Sequence, residues 1–141
     1  MPDIRESILI DAPAAKVSPL VSSGEGLSKW WAEDVVLRPE CVDLGFFNRA
    51  TVYSVQLVRS APSDTEWFCK SGKEWEGTRL RFQLSETKGQ TLLRFTHAGW
   101  ESDTDYFVSC NTSWGALMFR LKALAEGKPT VPLFSKTGWA L

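Results

Sequence analysis

The hydrophobic period of this chain changes once, near Gly99-Trp100, and that single change restricts the folds open to it. Between residues 32 and 98 apolar side chains alternate with polar ones. The alternation is clearest in Leu80, Phe82 and Leu84 and in Leu93, Phe95 and His97, with Arg79, Arg81, Arg94 and Thr96 on the opposite phase. A period of two is the mark of half-buried strands. Beyond residue 100, Phe107, Cys110, Trp114, Leu117, Leu121 and Leu124 recur at three- and four-residue steps, which is the stripe of an amphipathic helix. The spacing predicts a helix over residues 103–126, with Ser102 as N-cap, Asp103 and Asp105 complementing the dipole of the first turn, and Gly127 and Pro129 closing it. About 24 residues at 1.5 Å rise span roughly 36 Å, so only a sheet of several strands can cover that stripe.

The alternating region divides at Arg38-Pro39, Ala61-Pro62-Ser63-Asp64, Ser71-Gly72-Lys73 and Lys88-Gly89-Gln90. Strands are predicted at residues 32–37, 45–50, 52–61, 65–70, 78–86 and 91–98, preceded by a first strand over 5–11. Between the first strand and the meander lie two short helical segments. One starts at Pro13 and is limited by Pro19; the other covers residues 25–31 and ends in Trp30-Trp31. The expected fold is α+β: an antiparallel sheet of six or seven strands curled around one long C-terminal helix, two short helices following the first strand, all in one domain over residues 1–141. The tail, residues 130–141, carries Val131, Leu133, Phe134, Trp139 and Leu141 and is too apolar to be a free solvated end. It is expected to pack back on the domain or on a second copy, giving a homodimer.

Charge and composition exclude several functions. With 43% hydrophobic and 23% charged residues the chain is an ordinary folded one. A formal net charge of -1 offers no basic stripe for a phosphate backbone, so no nucleic-acid partner is expected. The N-terminus mixes both charges and lacks a basic-then-apolar leader, and no apolar run reaches the ~20 residues of a membrane span. A cytoplasmic location follows as an expectation. Cys41, Cys69 and Cys110 are odd in number and far apart, which predicts buried reduced thiols rather than disulfides. They and His97 have no local ligand spacing, so no metal is expected. There is no Gly-rich phosphate loop and no Gly-x-Ser-x-Gly elbow, and neither a cofactor nor a catalytic residue is assigned.

Seven tryptophans in 141 residues point to an aromatic core or an aromatic cavity. His97, the only histidine, shares its strand phase with Leu93 and Phe95 and is expected to face the helix. It can be a polar anchor for a ligand, an acid/base group, or a core histidine with satisfied nitrogens. Adjacent rings on a helix diverge, so of Trp30 and Trp31 one is expected inward and the other at a rim. The candidate cavity-lining residues are Trp30, Trp31, Tyr53, Val55, Trp67, Phe82, Phe95, His97, Cys110, Trp114 and Leu117. Core packing is the plain alternative for each. Arg79, Arg81 and Arg94 are expected to face solvent and to pair with Glu86, Glu66 or Glu101.

Several blocks recur together in family order: Ile8-Leu9-Ile10-Asp11-Ala12-Pro13 with Val17, Gly26-Leu27-Ser28-Lys29-Trp30-Trp31, Glu74-Trp75-Glu76-Gly77-Thr78, Leu93-Arg94-Phe95-Thr96-His97-Ala98-Gly99-Trp100, and Cys110-Asn111 with Trp114, Leu121 and Lys122. In these the chain resembles the helix-grip, START-like (SRPBCC) superfamily, which includes the birch-pollen allergen proteins and polyketide cyclases. Within it the chain is most similar to the C-terminal-domain type of the activator of heat-shock-protein ATPase family. The resemblance implies a helix-grip fold and a capacity to hold a small apolar or lipid-like molecule between sheet and helix. Two alternatives stand beside it: a cavity enzyme of the cyclase, dehydratase or hydrolase kind using His97, which needs a second polar group such as Asn111, Glu66 or Tyr53 within hydrogen-bond reach, and a co-chaperone-like interaction protein, which the family name invites.

Overall fold

A computed structural model describes residues 1–141. Strand β1 (Ile4–Ile10) is followed by helices α1 (Ala14–Val21) and α2 (Gly24–Leu27), then by β2 (Asp34–Leu37), β3 (Val42–Phe46), β4 (Thr51–Ala61), β5 (Asp64–Ser71), β6 (Arg79–Thr87) and β7 (Gln90–Ala98), and last by α3 (Asp105–Ala125). The seven strands form one antiparallel sheet in the order β1-β7-β6-β5-β4-β3-β2. Only the β1–β7 pairing, with Ile4 opposite His97, departs from a simple meander. No helix is long and apolar enough to cross a membrane.

The strand phases fall as the alternation requires. Leu80, Phe82, Leu84, Leu93, Phe95, His97, Val55 and Trp67 are buried, while Arg79 and Arg94 are exposed and Arg81 and Thr96 half-buried. A slip of one residue would have exchanged the two sets. Against that inner face α3 lays Cys110, Trp114, Leu117, Met118, Leu121 and Ala125, and all of these join one hydrophobic core. On the outer face Arg79 pairs with Glu66 as expected (3.1 Å), but Arg81 grips Asp64 through two bonds (3.0 and 2.8 Å) and Arg94 reaches only Ser85 Oγ (3.5 Å). Glu86 is engaged elsewhere, accepting from the Ala14 amide at the start of α1 (2.8 Å).

Four local expectations are corrected. The third strand covers Val42–Phe46 rather than residues 45–50, because Phe47, Asn48 and Arg49 all adopt left-handed φ (52°, 56° and 65°) and turn the chain there. Helix α3 starts at Asp105, with Thr104 rather than Ser102 as its cap; the Thr104 hydroxyl accepts from the Phe107 amide (3.2 Å) and donates to Glu74 (2.6 Å). Helix α2 ends at Leu27, so Trp30 and Trp31 lie on a turn. Freed from helical geometry, both rings are buried and stacked on each other, with centroids 6.1 Å apart, and neither lies at a rim. Of the cysteines, Cys69 and Cys110 are buried and Cys41 only half-buried; all three are free.

The tail packs back on the chain. Leu133 and Phe134 donate their amides to the carbonyls of Trp30 and Trp31 (3.0 Å each), and the Arg120 guanidinium holds the carbonyls of Val131 and Ala140 (2.7 and 2.5 Å). At the other end of the sheet α1 and α2 cross closely at Gly26, where a Cβ would sit 2.3 Å from the Pro19 carbonyl oxygen. Backbone cannot yield as a side-chain tip can. Gly26→Ala is therefore expected to destabilise the protein by about 1–3 kcal/mol, measured by chemical denaturation, as overpacked sites do.

Candidate functional site

One face of the space between α3 and the sheet is not filled. A cavity of about 360 Å³ is bounded by α3 (Tyr106, Ser109, Cys110, Ser113, Trp114 and Leu117), by the β3–β4 hairpin (Phe46, Phe47, Thr51 and Tyr53), by Lys73 and Trp75 of the β5–β6 loop, by Trp31, and by Phe134 and Trp139 of the tail. Three features of the sequence hold this wall in place. Tyr53 points inward from β4 two residues before buried Val55. At Gly72 a Cβ would lie 2.3 Å from the Tyr53 ring, so glycine lets the loop close over it. Trp75 then stacks flat on Tyr53, with centroids 3.8 Å apart and planes 7° from parallel.

The polar groups of the wall are few. The hydroxyls of Tyr53 and Tyr106 hydrogen-bond to each other, linking sheet to helix. Lys73 holds its ammonium 4.4 Å above the Tyr106 ring, a cation–π contact. Burial raises the Tyr106 hydroxyl pKa above its ordinary value, with Cys110 adding to the effect. Burial also pushes the Cys110 thiol up to about 11, so the sulfur on the wall is a neutral thiol rather than a nucleophile. The Trp75 indole N–H is buried without a hydrogen-bond partner.

His97 lies behind this wall in packed core, and its hydrogen bonds determine its tautomer. Trp114 Nε1–H can only donate, so His97 Nδ1 accepts (3.1 Å). The Thr78 hydroxyl spends its proton on the Trp75 carbonyl (2.6 Å), so His97 Nε2–H donates to Thr78 Oγ1 (2.8 Å). Both ring nitrogens are satisfied and the ring is neutral. Trp75 and Trp100 pack against it at 4.5 and 4.8 Å between centroids. Burial lowers its pKa to about 3. No group of three or more His, Cys, Asp or Glu side chains is placed to hold a metal ion.

Of the sequence candidates, Trp31, Tyr53, Cys110, Trp114 and Leu117 are brought together on the cavity wall. Trp30, Val55, Trp67, Phe82, Phe95 and His97 do not line it; they sit in the solid core beside it. Trp30 and Trp67 each donate the indole N–H to a backbone carbonyl, of Leu20 and Val21 respectively (2.8 Å each). Asn111 is exposed and Glu66 is tied to Arg79, so neither stands near His97. Lys73, Trp75, Tyr106, Phe134 and Trp139 were not singled out from the sequence as site residues. The signal that could have found them is the number of aromatic residues in segments too short and irregular to need them for a sheet.

No family model matches the sequence, and no curated protein does. Solved structures do. The Aha1 dimer from Colwellia psychrerythraea superposes with a TM-score of 0.79 at 28% identity, over 90% of this chain and 98% of that one. CalU16 from Micromonospora echinospora gives 0.68 at 21% identity (91% and 76% of the two chains), and protein BH1534 from Bacillus halodurans 0.68 at 22% (89% and 98%). The chain has the helix-grip fold. Its neighbours share the START-like (SRPBCC) architecture, in which a sheet curls around a C-terminal helix. In this helix-grip protein the grip leaves a hollow at the end carrying the β3–β4 hairpin, while the end carrying His97 is solid.

Because the folded pKa of His97 lies below the ~6.5 of an unfolded histidine, its contribution to stability is complete above pH ~6.5. That contribution is lost as pH falls from there toward about 3. Unfolding free energies from denaturant titrations between pH 7 and pH 5 are expected to fall with a slope approaching 1.4 kcal/mol per unit, roughly the limit for one proton. His97→Asn should flatten the slope over this interval. A flat wild-type profile would mean that the ring is not buried neutral.

Proposed function

We propose that this protein binds a small, largely apolar molecule in the cavity between α3 and the β3–β4 hairpin. The observation that carries this reading is the hollow itself: about 360 Å³ between α3 and the hairpin, with most of its wall built of large rings. A volume of this order lies within the usual range of ligand pockets. Apolar walls with a few convergent polar groups also match what such pockets need. The helix-grip neighbours support it, since that superfamily commonly holds hydrophobic ligands.

A reaction run by His97 has little support from the geometry. Its Nδ1 lone pair is taken by Trp114 and its Nε2 proton by Thr78, and protonating the ring would place a second N–H against the Trp114 N–H. A general base needs a free lone pair within reach of substrate.

The likeness to the Aha1 dimer supports a second, independent proposal, that two copies associate. Phe119 projects from the outer side of α3, and its neighbour Arg120 holds the tail beside it, where Val131 and Leu141 are also exposed. Sedimentation velocity is expected to show a dimer, reduced to monomer by the pair Phe119→Ser and Leu141→Ser.

For the cavity, thermal melts against a panel of hydrophobic molecules are expected to show stabilisation that grows with ligand concentration, as binding to the folded state requires. Ser113→Trp places a ring in the hollow and is expected to abolish the response while leaving the ligand-free melting temperature within a few degrees of wild type. No response from the wild-type protein across the panel would remove the binding reading.

A further inference from the structure

We infer that the preferred ligand is a flat aromatic carboxylate, held with its ring among the tryptophan and tyrosine rings and its carboxylate between Lys73 and the Trp75 indole N–H. This rests on the cavity being a ligand site. Three observations on its wall select the class. First, Lys73 is the only charged side chain there; no acidic group lines the cavity, and no carboxylate stands within ion-pair distance of Lys73. A negative group entering the cavity therefore meets a cation with no ion-pair partner, while the nearest carboxylate acting on the wall, Glu74, is held by the Thr104 hydroxyl. Second, Trp75 is 3% exposed and its Nε1–H has no oxygen or nitrogen acceptor, with only the Cys110 sulfur beside it. An indole N–H can only donate; of the two buried indoles without an acceptor, Trp75 and Trp100, Trp75 is the one on the cavity wall. The neutral thiol of Cys110 beside it is at best a weak acceptor. An oxygen supplied by a ligand would complete it.

Third, the rest of the wall favours planes over chains. Tyr53, Trp75 and Trp114 lie close to parallel in succession, with Tyr53 and Trp75 at 7° and Trp75 and Trp114 at 20°. The three are packed on one another, with centroids 3.8 and 5.9 Å apart, so a ligand ring would lie against the outside of this stack rather than between its members, and offset or edge-to-face contact is how aromatic surfaces prefer to meet. A flexible acyl chain would surrender rotamer freedom to lie along such a rigid wall, whereas a fused ring system has none to lose. The groups are also contiguous: Lys73 sits over the Tyr106 ring, Tyr106 bonds Tyr53, and Tyr53 stacks on Trp75.

Isothermal titration of the full chain with three probes separates the class from the underlying reading: 2-naphthoate (ring and carboxylate), naphthalene (ring alone) and decanoate (carboxylate on a chain). 2-Naphthoate is expected to bind about tenfold more tightly than naphthalene, the size of effect a charge-assisted hydrogen bond supplies, and also more tightly than decanoate, which must order its chain to bind. Lys73→Met, at an exposed position where folding is not at stake, is expected to lower 2-naphthoate affinity about tenfold and to leave naphthalene unchanged. Trp75→Phe, checked for an intact melting transition, should narrow the gap between 2-naphthoate and naphthalene. Equal binding of all three probes, or loss of none of the preference in Lys73→Met, would overturn the aromatic-carboxylate class while leaving the cavity as a ligand site. Binding of no probe at all would overturn both.

Discussion

The bond from the Trp114 indole to the imidazole of His97 sets the geometry of the molecule's interior. It joins the middle of α3 to the middle strand of the β1-β7-β6 edge, and it does so with a donor that has no alternative acceptor in a packed core. Once His97 Nδ1 accepts, Nε2 must donate; once Thr78 accepts from it, the Thr78 hydroxyl must turn to the Trp75 carbonyl. The chain of four groups therefore fixes the loop that carries Trp75 as well as the helix. Trp75 in turn places Tyr53 by stacking, and Tyr53 reaches back to α3 through Tyr106. The circuit closes on the helix where it began. Buried polar groups are costly unless satisfied, and every member of this chain is satisfied by the next.

That circuit also explains why one end of the grip is solid and the other hollow. Along β6 and β7 the residues facing the helix are Leu80, Phe82, Leu93 and Phe95, regular in spacing and able to interdigitate with the α3 stripe. Toward β3 and β4 the sheet meets a turn in left-handed backbone and a tail that returns across it, and the rings there pack edge-on or tilted against one another rather than filling the space beneath α3. Large flat groups held by backbone bonds in short irregular segments cannot collapse into a void as loosely attached aliphatic chains can. The hollow survives because its walls are stiff.

The architecture was readable from the sequence because both its periods are written in large side chains. Leu80, Phe82, Leu84 and Leu93, Phe95, His97 leave only one phase for β6 and β7, and the α3 stripe from Cys110 to Leu121 leaves only one face for the helix. The cavity was less legible. Its wall takes residues from α3, a hairpin, a loop and the tail, which no spacing rule connects. The sequence pattern runs as strand through residues 47–49 because the apolar pair Phe46-Phe47 continues the alternation, while a positive φ leaves no mark in sequence when the residue is not glycine. His97 was placed on the correct face, yet that face is partly solid and partly hollow. Which of the two it meets depends on Trp114 and Thr78, positions far from it in sequence that only the fold brings near.

The order in which these parts are made has its own consequence. The strands from β2 to β7 pair with immediate neighbours and can form as they are synthesised, but β1 must wait for β7, and α3 and the tail come later still. Phe134 and Trp139, which close the cavity, and Trp114, which anchors the helix, therefore arrive after the sheet that they cover. During translation the inner face of β6 and β7, with its leucines and phenylalanines, stands open to solvent until α3 docks. The nascent sheet is thus an exposed apolar surface for a period, and the speed with which the helix folds down governs how long that surface is available to other chains.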